Sequence, residues 1–139
     1  MPKPRPKIIH AAIAVIERDG HILICQRQPH DSFGGLWEFP GGKREQGETW
    51  EVCLHRELLE EVGVTVRNVT PFGWMRHQFR DGLVIFKIFR CALAVGEPKA
   101  LEAQEVKWIR PSELSDYQFP PANKGMLARL SGTNQRRMV

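Results

Sequence analysis

Little in this 139-residue chain fits a cross-linked, repetitive or membrane-spanning protein. Its three cysteines, Cys25, Cys53 and Cys91, are odd in number, widely spaced and set among apolar neighbours, which argues against a disulfide framework or a zinc site. We expect a reducing compartment, the cytoplasm. No apolar run approaches a membrane span, and residues 1–7 alternate Pro with Lys and Arg without the apolar core of a signal peptide. Internal repeats and low-complexity stretches are absent. Acidic residues are in deficit, 16 against 20 Lys and Arg, for a net charge of +4. Part of that excess lies at the ends, in Lys3, Arg5 and Lys7 and in Arg136 and Arg137, and reads as tails rather than as a nucleic-acid footprint. The expected organisation is a basic tail over residues 1–7, one domain over 8–131 and a second tail over 132–139. Such a domain buries about two thirds of its unfolded surface. We expect a monomer with no stable nucleic-acid partner and no membrane association.

What the chain does have is concentrated in one stretch. Gly41-Gly42-Lys43-Arg44-Glu45-Gln46-Gly47-Glu48 reads as a Gly-rich loop. It enters a segment of about four turns that stops at Gly63, the residue type that most easily takes a left-handed cap. At about 100° per residue, Glu57, Glu60 and Glu61 share one helix face, while Leu58, Leu59, Val62 and Val52 take the opposing, core-facing side. At about 6 Å and an effective dielectric of about 20, each carboxylate pair repels by about 3 kcal/mol. Arg56 can pair with Glu60 at i+4 but cannot neutralise three carboxylates. A hard divalent cation seeks oxygen ligands of this kind, and Mg²⁺ is the natural candidate, with Mn²⁺ as a substitute.

Elsewhere, Ile8 to Ile16 and His21 to Arg27 flank Asp19-Gly20, a hairpin signal. Arg27 ends the second run as either a phosphate clamp or a solvated edge arginine. Gln28 to Leu36 is a polar, Gly-rich loop, and Trp37 and Phe39 alternate as a short strand. His30 and His55 read as structural, since an oxygen-rich metal site needs no imidazole. Gly73 to Phe79 and Leu83 to Val95 flank Asp81-Gly82, a second hairpin. Val106 to Ile109 is a further strand, and Pro111 to Leu114 starts a turn or short helix. The last helix, Lys124 to Leu130, buries Met126, Leu127 and Leu130 and has Asn123 in N-cap position. The order β-β-loop-α-β-β-β-α points to an α/β (α+β) fold with a mixed sheet between helices.

From Gly42, five residues lead to Glu48 and seven more to Arg56-Glu57; then come Leu58, one residue, Glu60-Glu61, one residue, Gly63 and Val64. This spacing resembles the Nudix box in full. Trp37-Glu38-Phe39-Pro40-Gly41-Gly42-Lys43, Glu102 placed six residues before Trp108, and Phe119-Pro120-Pro121-Ala122-Asn123 extend the resemblance to the MutT-like subgroup over about Ile8 to Leu130. The resemblance implies a Nudix-type fold and hydrolysis of 8-oxo-dGTP to 8-oxo-dGMP and pyrophosphate, which cleans the nucleotide pool. It further implies divalent metals held by the Gly41 carbonyl with Glu57, Glu60, Glu61 and Glu102. In the same way it assigns phosphate contact to Arg27 and base recognition to Asn123. Asn123 could instead serve only as the helix cap, and Phe79 either packs on the base or is plain core. Glu57 is the favoured general base with Glu102 its rival, and Glu48 supports the metal shell. Gly82 and the loop Asp31 to Leu36 depart from the MutT pattern where a nucleotide could touch. The alternatives are a CTP or modified-pyrimidine triphosphate pyrophosphohydrolase, an RNA-cap or dinucleoside-polyphosphate hydrolase, and a non-catalytic nucleotide-sensing module.

Overall fold

A nearly unbroken run of Ile, Val and Ala places the first strand, β1 (Lys7–Arg18), at the centre of the sheet, because a strand covered on both faces has no polar side to show. Even-numbered Ala12, Ala14 and Ile16 point to one core, odd-numbered Ile13 and Val15 to the other. Asp19 and Gly20, with φ of 50° and 77°, turn the chain into β2 (His21–Gln26), as a two-residue hairpin loop requires. The computed structural model describes residues 5–132. Lys3, Arg136 and Arg137 of the expected tails lie outside the described residues, and Lys7 is already in register with Gly82.

Two short strands, β3 (Trp37–Glu38) and β4 (Gly41–Lys43), follow the Gly-rich loop and pair with β2 and β1. Helix α1 (Trp50–Val62) leads into β5 (Thr65–Phe79), β6 (Gly82–Val95), β7 (Glu105–Ile109) and α2 (Lys124–Leu130), with 3₁₀ turns at Pro111–Asp116 and Pro121–Asn123. The sheet is mixed: β1 runs parallel to β6, and the other pairs are antiparallel, in the order β3-β2-β1-β6-β5 with β4 beside β1 and β7 beside β2. Sequence alone starts β5 at Gly73, yet the strand begins at Thr65. Pro71 and Gly73 sit at register shifts, so they bend the strand instead of ending it.

Leu54, Leu58 and Val62 of α1 pack on one face of the sheet with Leu23 and Phe89, and Met126 and Leu130 of α2 pack on the other with Ile24 and Ile88. The expected polarity of α1 needs correction. Leu59 and Val52 are 51% and 54% exposed, whereas Glu61 is only 7% exposed. The helix rests on the stripe 54, 58, 61 and 62, so its apolar and carboxylate faces overlap at Glu61 instead of opposing each other. No helix among the described residues is long and apolar enough to cross a membrane.

Candidate active site

The site is built where β4 and the loop after it meet α1. Thr49 caps α1 by accepting a hydrogen bond from the Val52 N–H at 3.1 Å, and Gly63, at φ 72°, closes it by donating to the Leu58 and Leu59 carbonyls. Two carbonyls near that end are taken by the loop after β6: Lys99 N–H donates to Val62 O and Leu101 N–H to Glu61 O. These bonds bring Glu102 over the helix. Glu57, Glu61 and Glu102 then offer carboxylate oxygens that all lie within 4.8 Å of one another. Glu60, one of the expected ligands, stands outside this triad, half exposed and paired with Arg56 at 3.2 Å. Gly41 touches the group through its N–H, which donates to Glu61 Oε2 at 2.9 Å.

Arg56 is the hub on the outer side. It donates to Glu48 at 2.6 and 2.8 Å, to Glu57 at 2.9 Å and to the Lys43 carbonyl at 3.0 Å. Its hydrogen bonds pull the Glu48 carboxyl down to about 2, so Glu48 is a fixed anion that orients Arg56. Burial raises Glu57, against the opposing pull of Arg56. Burial drives Glu61 further, to about 8, assisted by Glu38, Glu102 and Glu57 and opposed by the Gly41 N–H. Three clustered carboxylates, one of them desolvated and without a counter-charge, fit a hard divalent cation. His30 and His55 take no part in the cluster.

The Glu61 shift has a measurable consequence. Between its ordinary value of 4.5 and about 8, the folded protein holds a proton that the unfolded chain has released, so this group's contribution to stability falls as pH rises through that interval. The melting temperature of the metal-free protein, measured in EDTA, is expected to decline from about pH 5 to about pH 8. Glu61→Gln should flatten that decline, and Mg²⁺ should raise the melting temperature most at the alkaline end. An unchanged slope in Glu61→Gln would remove Glu61 as its source.

On the other side of Gly41 and Gly42 lies a cavity of about 260 Å³, lined in part by Arg27, Glu38, Phe39, Met75, His77 and Asn123. Asn123 is 4% exposed and does not cap α2 through its side chain. It belongs to the preceding 3₁₀ turn, and its amide donates to Pro120 O at 3.2 Å, which fixes the amide's orientation. Arg27 reaches the cavity wall but is bound to Glu38 at 2.7 Å. Phe79 is not part of the lining; it lies at the hairpin end against Gly82, because β5 runs on past the cavity. Its expected place is taken by His77 and Met75, two and four residues back on the same strand face. Phe33, in the loop after β2, meets His77 edge-on at 5.4 Å and contributes to the cavity wall. Sequence reasoning missed Phe33, Met75, His77 and Glu38. Strand parity could have flagged Met75 and His77; Phe33 lies in the loop Asp31 to Leu36, already marked as a place where a nucleotide could touch, but nothing local singled it out within that loop.

Comparison with known proteins agrees with this geometry. The family model described as NUDIX domain matches residues 11–129. An 8-oxo-dGTP diphosphatase of Haemophilus influenzae is 36% identical over 125 residues, covering 89% of this chain and 92% of that protein. A CTP pyrophosphohydrolase of Escherichia coli is 33% identical over 121 residues, covering 87% and 90%. A solved MutT structure (Aliivibrio salmonicida and Vibrio cholerae) superposes with a TM-score of 0.77 at 33% identity, covering 91% of this chain and 99% of that one. Motif, fold and whole-chain similarity coincide, and the chain belongs to the NUDIX domain family, the Nudix hydrolases.

Proposed function

We propose that this protein is a Mg²⁺-dependent pyrophosphohydrolase of nucleoside triphosphates that cleaves 8-oxo-dGTP to 8-oxo-dGMP and pyrophosphate, acting as a monomer in the cytoplasmic nucleotide pool. One observation carries the reading: the carboxylate triad and the Asn123 cavity meet at Gly41-Gly42, so a base in the cavity would place its phosphates against the metal-binding carboxylates. Glu57, Glu61 and Glu102 would hold the metal, with Glu60 and the Gly41 carbonyl as the further ligands that the family resemblance implies. A bound divalent cation neutralises phosphate charge and lowers the pKa of a coordinated water. Glu57 accepts the proton of the attacking water, Arg56 and Glu48 hold Glu57 in place, and Arg27 meets the phosphates.

Asn123 supplies the base selectivity. 8-Oxoguanine in its keto form offers a donor at N7 beside the O6 acceptor, whereas guanine offers two acceptors. With one amide N–H committed to Pro120 O, the amide oxygen and the remaining N–H match the oxidised base. Normal guanine leaves the amide oxygen facing an acceptor, a mismatch of about 1–3 kcal/mol. The deciding measurement is kcat/KM for pyrophosphate release from 8-oxo-dGTP, dGTP and CTP with Mg²⁺. A preference of about a hundredfold for 8-oxo-dGTP is expected, narrowing about tenfold or more in Asn123→Ala. Equal or higher values for CTP would replace the substrate and keep the hydrolase, and no turnover of any triphosphate would remove both. The similarity to a CTP pyrophosphohydrolase makes CTP the competitor to include.

A further inference from the structure

Glu38 has no part in the reading above, yet it is tied to it. Its carboxylate, 25% exposed, receives both hydrogen bonds of Arg27 Nη1, at 2.7 and 3.1 Å. Arg27 Nε donates to Ser32 O at 2.5 Å in the loop that carries Phe33. The Arg27 backbone is pinned as well: its N–H donates to Leu36 O, and its carbonyl accepts from Gly35 N–H and from Gln104 Nε2. Among the described residues, Nη2 alone of the guanidinium nitrogens makes no hydrogen bond. An arginine side chain has several rotatable bonds, so a fork left free would sample many directions. Here two of its three nitrogens are committed, and Arg27 is held at the cavity wall.

We propose that Glu38 is a positioning residue that holds the Arg27 guanidinium with Nη2 presented to the phosphates of the incoming nucleotide. The proposal rests on the reading of Arg27 as a phosphate contact. Glu38 sits in β3, in register with Cys25 of β2, so its carboxylate is delivered by the sheet and not by the loop. The strand therefore holds Arg27, and Arg27 in turn holds the loop at Ser32. A rigid element orienting a flexible binding group reduces the ordering cost of binding, which appears in KM more than in kcat.

The test is steady-state pyrophosphate release, on the triphosphate that the wild type turns over best, for wild type, Glu38→Ala, Glu38→Gln, Arg27→Ala and the double alanine variant. Each is first shown to be folded by its thermal transition. Arg27→Ala and Glu38→Ala are each expected to raise KM about tenfold or more, with kcat changed less than about threefold. The double variant should be no worse than Arg27→Ala alone, since Glu38 acts through Arg27. Glu38→Gln keeps an acceptor for Nη1 and should recover KM to within about threefold of wild type. The proposal is overturned if Glu38→Ala leaves KM unchanged, if its effect multiplies with that of Arg27→Ala, or if Glu38→Gln is as impaired as Glu38→Ala. A wild-type KM in Arg27→Ala would refute the phosphate contact itself and the proposal with it. Should Glu38→Ala fail to fold, the same cycle is run with Glu38→Leu.

Discussion

Glu57→Gln is expected to lower kcat for pyrophosphate release by about 10²- to 10⁴-fold, the usual worth of a positioned general base, with the fold intact. The amide keeps the size of the carboxylate but cannot accept the proton of water, and it is a poorer metal ligand. Folding should not suffer. Burial is what raises Glu57, against the pull of Arg56 and with smaller help from Glu60 and Glu102, so a neutral amide of the same size removes a desolvation cost. Far-UV circular dichroism should therefore be unchanged and the melting temperature equal or higher. A kcat within about tenfold of wild type would take Glu57 out of the proton transfer. The same substitution at Glu102 would then be the one to examine, since both carboxylates belong to the triad.

Gly41→Ala should unfold or severely destabilise the protein, by about 3 kcal/mol or more, a fall in melting temperature of about 10 °C. Gly41 has φ 148°, and a Cβ built there overlaps the Ala12 carbonyl oxygen and lies 2.7 Å from Ile13 Cα. Both neighbours are backbone of β1, the central strand, and cannot move aside. Its N–H also holds Glu61, so any variant that survives should bind metal weakly. Gly47→Ala is the control. Its φ of 85° is also positive, though nearer the left-handed region that L residues visit, and nothing lies within 4 Å of an added Cβ, so only backbone strain of about 1 kcal/mol is expected. A loss at Gly41 no larger than that at Gly47 would show that the close approach of β1 is not what demands glycine at residue 41.

The strands were readable where chemistry was local. Asp19-Gly20, with positive φ at both residues, makes the first hairpin, and the bounds of α2 and the Gly63 cap agree with the sequence reading. The beginning of β5 was not readable, because Pro71 and Gly73 are ordinarily breakers and only pairing with β6 converts them into bends. The faces of α1 were misjudged for a related reason. Periodicity locates an apolar stripe but not how far the helix rolls on the sheet, and the roll buries Glu61 while leaving Val52 and Leu59 in solvent.

The sequence by itself determined the family, the carboxylates and the loop–helix unit that carries them, because the spacing from Gly42 to Val64 is short-range and each position answers to a local requirement. Only the tertiary structure decided which carboxylates gather. Glu102 joins Glu57 and Glu61 because the loop after β6 is bonded to the end of α1, while Glu60 turns to Arg56. It also decided that Arg27 is held by Glu38, and that Met75, His77 and Phe33 line the cavity in place of Phe79. These outcomes depend on distances between segments remote in the chain, which strand pairing and helix roll set and no local pattern encodes.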